Sequence, residues 1–147
     1  PMPLETRIRW LKSASVITVG FGLLLAAAAI PALSGPTEFL LDLIYFPLNG
    51  AESVDSPAAR ILNAITGGLM TGLGVMTFMI ASELMPRNPA IARRLLLFGI
   101  GSWFIVDSSM SIAAGAPLNA AFNTGLLLLY YLPIWKPVDA KPELTAA

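Results

Sequence analysis

The sequence predicts an all-α membrane protein: a bundle of four transmembrane helices with a short interfacial amphipathic helix between the first two. Three observations carry this. Apolar stretches of roughly 20 residues recur four times, each enough at ~1.5 Å rise per residue to cross ~30 Å of hydrocarbon. Hydrophobic residues make up 56% of the chain and charged residues 12%, with a mean hydropathy of +0.73, outside the range of soluble globular proteins. The basic residues are segregated. Arg7, Arg9 and Lys12 precede the first stretch, Arg87, Arg93 and Arg94 separate the second from the third, and Lys136 and Lys141 follow the fourth. The other side holds only Arg60, beside Glu38, Asp42, Glu52 and Asp55. By the positive-inside rule both termini are expected in the cytoplasm, and the membrane is expected to be a bacterial inner membrane.

The first transmembrane segment is expected over about 14–33, where Pro31 and Ser34-Gly35-Pro36 break it. It is longer than the apolar core of a signal peptide, and no hydrophilic export product follows. The opening Pro-Met-Pro matches a chain whose initiator Met has been removed, so an uncleaved N-terminus is expected. The interfacial helix is expected over about 37–46. Glu38, Asp42 and Tyr45 share one face there, with Phe39, Leu40, Leu43, Ile44 and Phe46 mostly on the other. That helix either covers the end of the bundle or docks a partner through Phe39, Leu43, Tyr45 and Phe46. The Pro47-Leu48-Asn49-Gly50 run then reads as a turn.

The second segment, about 57–84, starts on the N-cap Ser56 with Pro57 in the first helical position, and stops before Pro86. The third, about 90–114, starts on Asn88-Pro89 by the same logic. The fourth, about 117–135, runs from Pro117 to Pro133 and Trp135, leaving a cytoplasmic tail at 136–147. All of this forms a single membrane domain.

Composition also limits the chemistry. With a net charge of zero there is no basic field for nucleic acid. The absence of Cys excludes disulfides, thiolate nucleophiles and iron–sulfur ligation, and the absence of His removes the usual proton shuttle and the commonest haem, copper and zinc ligand. No enzyme activity, metal or cofactor is expected. Met70, Met76, Met79, Met85 and Met110 read as packing or lipid-facing residues. Trp10, Trp135, Tyr130 and Tyr131 read as an aromatic belt, and Arg93-Arg94 as a topology signal.

One acid falls within the third segment. Asp107 lies ~18 Å along the helix from Leu95, in its outer half. A carboxylate at such depth costs ~2.5 kcal/mol or more and normally faces a protein interior or a water-filled cavity. Ser108 and Ser111 neighbour it, Arg60 and Asn63 begin the second segment at the same level, and Asn119 and Asn123 share one face of the fourth. These seven residues form the candidate polar cluster. It suits a structural lock of helix register, a solute or ion site, or a proton relay through Asp107. The remaining signal is small residues: Ala64, Gly68 and Gly72 form a stripe containing a GxxxG match, with Thr18, Gly22 and Ala26 of the first segment as its mate. Packing within the bundle or homodimerisation would both use it.

The runs Trp103-Phe104-Ile105-Val106-Asp107-Ser108 and Ala113-Ala114-Gly115-Ala116-Pro117-Leu118-Asn119, with Phe46-Pro47-Leu48-Asn49-Gly50, resemble a group of short, uncharacterised bacterial inner-membrane proteins with four predicted helices. The resemblance implies architecture and envelope, without a mechanism. The expected function is therefore non-enzymatic: a small accessory or scaffolding subunit docked to a larger respiratory, photosynthetic or transport complex. Alternatives are an oligomeric transporter or channel using the Asp/Asn cluster and, last, a lipid-modifying enzyme. Membrane lipids and either a larger membrane protein or further copies of the chain are the expected partners.

Overall fold

The computed structural model describes residues 2–137, all-helical and without a strand among them. Helix α1 spans Leu4–Ala27, α2 Gly35–Ile44, α3 Pro57–Met79, α4 Pro89–Ala113 and α5 Pro117–Tyr131. Helix α3 runs on through a π-helical turn, Ile80–Leu84. Short 3-10 turns follow α1 at Pro31–Leu33 and α5 at Leu132–Ile134. The expected tail beyond Pro137, with Lys141, lies outside the described residues.

The caps do what their residue types dictate. The Ser56 hydroxyl accepts from Ala59 N (3.0 Å) and the Asn88 side chain from Ile91 N (3.1 Å), each ahead of a Pro that needs no donor partner. Among the described residues three helices are long and apolar enough to cross a membrane: Leu4–Ala27, Pro57–Leu84 and Pro89–Ala113. The first starts about ten residues before its apolar stretch, because helix continues through the polar Glu5-Thr6-Arg7 turn; it ends before Pro31. The fourth segment is shorter than expected, since Pro133 has no N–H with which to continue α5.

The helices pack as two antiparallel pairs, α1 with α3 and α4 with α5, whereas α3 and α4, consecutive in the chain, scarcely touch. The pairs meet at the end where α1 begins and α5 finishes. There Leu11, Ala14, Ala81, Met85, Ala92, Leu96, Ile100, Tyr130 and Ile134 form one buried cluster. At the opposite end α2 bridges α1 and α5. Large apolar side chains are exposed on every long helix, among them Leu69, Phe98 and Ile105, a pattern consistent with a membrane protein.

Two arginines and a tryptophan close the joined end. Arg7, buried, donates to the carbonyls of Met2 (2.9 Å), Lys136 (2.5 Å) and Pro137 (3.3 Å). Arg93 donates to Ile134 O (2.7 Å) and Trp135 O (2.9 Å). Trp10 Nε1 donates to Leu129 O (2.8 Å), the carbonyl that Pro133 cannot serve. The expected aromatic belt is thus only partly a belt: Trp135 is exposed, whereas Tyr130 is fully buried and Tyr131 donates to Leu97 O (2.5 Å). Arg93 satisfies helix-end carbonyls, while Arg94 remains exposed.

Candidate functional site

A tight turn builds the polar cluster. Gly115, at φ 80°, reverses the chain between α4 and α5 and brings the first turns of α5 back over the last turns of α4. Asn119 and Asn123, one helical turn apart, then face Asp107 and Ser111, also one turn apart. Asn123 Nδ2 donates to Asp107 Oδ1 at 2.8 Å, Asn119 Nδ2 at 3.0 Å and Ser111 Oγ at 3.1 Å. Asn119 also donates to Ser111 Oγ (2.8 Å), and Asn123 to the buried Ser108 Oγ (3.3 Å). Five of the seven expected residues therefore come together.

All these donors converge on one oxygen. Asp107 Oδ2 accepts no hydrogen bond among the described residues, and it is not sealed from the surface. Asp107 is half-buried and lines an open groove of about 640 Å³ with Ser102, Trp103, Val106, Met110, Ser111 and Ala114. The groove continues, outward, the face of α4 that packs through Ala92, Leu96 and Ile100 at the joined end. It exists because the helix pairs separate there.

Arg60 and Asn63 stand apart from the cluster. Asn63 Nδ2 turns back to Ala59 O of its own helix (3.0 Å). Arg60 falls on the row Arg60, Ala64, Gly67, Thr71, Gly74, which faces α1. Its Nε is buried without a hydrogen-bond partner, and among the described residues it makes no ion pair.

The packing face of α3 also differs from expectation by one residue. Gly68 and Gly72 face open space, with nothing within 4 Å of the point a Cβ would occupy, while Gly67 and Gly74 approach α1. A Cβ on Gly67 would stand 2.5 Å from Gly22 O, and one on Gly22 2.5 Å from Thr71 N. A Cβ on Gly74 would stand 2.8 Å from Val19 N. Gly22 and Ala26 meet α3 there, and Thr18, one turn before Gly22, is fully buried. A one-residue shift turns a helix ~100°, so the GxxxG spacing was correct for a face but not for this one.

Thr18 belongs to a buried group that sequence reading missed. Tyr130 OH lies 2.9 Å from Thr18 Oγ1 and 3.0 Å from Thr77 Oγ1, and Thr77 Oγ1 lies 2.9 Å from Ser15 Oγ. Ser15, Thr18 and Thr77 also reach Leu11 O, Ala14 O and Gly74 O. Hydroxyls from α1, α3 and α5 so meet at the junction of the two pairs. The signal was present as Ser15 and Thr18 spaced three apart on α1, but nothing local marked Tyr130 as their partner.

In the outer loop, the two acids of α2 serve structure. Asp42 accepts from Gly50 N (2.6 Å) and Glu52 N (3.3 Å), and Glu38 from Val54 N (3.1 Å). Gly50, at φ 68°, makes the turn possible. Of the expected docking residues Phe39, Tyr45 and Phe46 are exposed and Leu43 is half-buried.

No protein-family model, curated protein or solved structure matches this chain. Among the described residues no group of three or more Asp and Glu is placed to hold a metal ion.

Proposed function

We propose that the protein is a non-enzymatic, multi-pass subunit of a bacterial inner membrane, which docks against a larger membrane complex through the outer face of α2. One observation carries this reading. Phe39, Tyr45 and Phe46 are exposed on a segment that Asp42 and Glu38 tie down through three backbone N–H groups. Aromatic side chains on a pre-ordered platform lose little entropy on docking and are frequent centres of interfaces. The residue inventory, without Cys or His, supports a role other than catalysis.

In this reading α5 is the fourth crossing. Its 15 residues and the three-residue 3-10 turn reach ~28 Å, close to the hydrocarbon thickness. The described chain ends meet at one end with Arg7, Arg9, Lys12, Arg87, Arg93 and Arg94, which supports a cytoplasmic location for that end. Native mass measurement after gentle solubilisation is the test. A stoichiometric larger assembly is expected, lost in a Phe39→Ala, Phe46→Ala double variant that keeps its melting transition. A wild-type chain found alone, or an assembly untouched by the double variant, would overturn the docking reading.

A second reading, a small transporter, is favoured by one specific observation: the Asp107 groove, open along α4 with a carboxylate oxygen unpartnered.

A further inference from the structure

Asp107 has no positively charged partner among the described residues. The donors on Oδ1 are two neutral amides and a hydroxyl, and none of them carries positive charge. Arg60, the one basic residue of that end of the chain, makes no ion pair with it, and the only salt bridge among the described residues, Arg87 with Glu83, is at the other end. Oδ2 is left open in a groove lined otherwise by Trp103, the apolar side chains of Val106, Met110 and Ala114, and the serines Ser102 and Ser111. Acyl chains filling that groove would leave the carboxyl oxygen Oδ2 desolvated and unpaired, which the membrane tolerates poorly.

We propose that this groove binds a single-chain organic ammonium cation. Its head sits between Asp107 Oδ2 and the Trp103 ring, and its chain lies along Val106, Met110 and Ala114. A carboxylate together with an indole face is the pairing that recognises alkylated ammonium ions. A hard metal cation would need several oxygen ligands, and here a single carboxylate stands beside two serines, with no group of three or more acidic residues placed to hold one among the described residues. An anion meets only the carboxylate. The site opens along the helix, so an amphiphile enters from the bilayer without any lid. This deepens the transporter reading and is independent of docking through α2.

The test is equilibrium dialysis of octyltrimethylammonium against the full chain in nanodiscs of zwitterionic lipid, with the uncharged tert-butyl isostere as control. Saturable binding is expected for the cation, with the isostere at least about tenfold weaker, the factor that corresponds to one favourable charge contact. Asp107→Asn should weaken the cation about tenfold or more and leave the isostere unchanged. Val106→Trp, which fills the groove without touching the Asn119–Asp107–Asn123 bonds, should weaken both. If Asp107→Asn fails to fold, Val106→Trp and the isostere comparison decide. Non-saturable uptake, equal affinity for cation and isostere, or undiminished binding to Val106→Trp would each overturn the proposal.

Discussion

The indole nitrogen of Trp10 donates to the main-chain oxygen of Leu129, 2.8 Å away. In a continuing helix that oxygen would take the N–H of residue 133, but residue 133 is Pro. A break in α5 is therefore mended by a side chain from α1, and the first and last helices are joined by what would otherwise be an unsatisfied carbonyl.

Trp10→Phe should accordingly cost about 1 kcal/mol, the lower part of the range for an orphaned polar group, because Trp10 is partly exposed. Thermal unfolding in detergent measures it. Combined with Pro133→Ala, which restores the missing donor, the penalty should shrink towards zero. A penalty that persists in full would show that Trp10 acts through packing alone.

Glycine substitutions along α3 should split by face. Gly67→Ala places a methyl against the backbone of α1 and should destabilise by about 1–3 kcal/mol or more, as overpacking does. Gly68→Ala and Gly72→Ala meet open space and should be neutral or stabilising by up to about 1 kcal/mol, from helix propensity. Should Gly72→Ala instead disrupt a native oligomer, the face would be an interface between copies.

Tyr130→Phe removes the hydroxyl shared by Thr18 and Thr77 while keeping the ring in the core. Those two hydroxyls retain their backbone acceptors, Ala14 O and Gly74 O. The expected loss is thus modest, about 0.6–2 kcal/mol, the range for hydrogen bonds between membrane helices. Tyr130→Ala should cost considerably more through the cavity it leaves. Unfolding midpoints of the two variants separate the hydroxyl from the ring.

Asp42→Ala should release the outer loop without unfolding the long helices. Gly50 N and Glu52 N lose their acceptor. Hydrogen exchange of residues 49–54 should accelerate by about tenfold or more, matching the loss of a charge-assisted bond of about 1.5–3 kcal/mol, with α1 and α3 unaffected. Uniform acceleration throughout the chain would mean that Asp42 supports the whole fold.

The Asp107–Asn119–Asn123 cluster was legible in advance because two short-range rules suffice: residues four apart share a helix face, and a Gly-Ala-Pro turn returns the next helix antiparallel. Arg60 and Asn63 were placed with it on depth alone. Depth does not fix rotation about the helix axis, and Arg60 lies on the row that meets α1. The same gap misplaced the glycine stripe by one residue. Glu38 and Asp42 were visible as a polar face, but their acceptor role depends on a loop that returns 8 to 16 residues later.

By itself the sequence determined where three helices begin, through Ser56-Pro57, Asn88-Pro89 and Pro117, and it led to an expectation of four spans, of which three among the described residues are long and apolar enough to cross a membrane. Only the tertiary structure decided which side of each helix meets protein: Gly67 rather than Gly68 against α1, Tyr130 inside, and α4 beside α5 rather than α3. The physical reason is that lipid tails are as apolar as leucine, so hydropathy marks a helix as buried in oil without marking the face that touches another helix. That choice rests on shape and on a few hydrogen bonds between residues far apart in the chain.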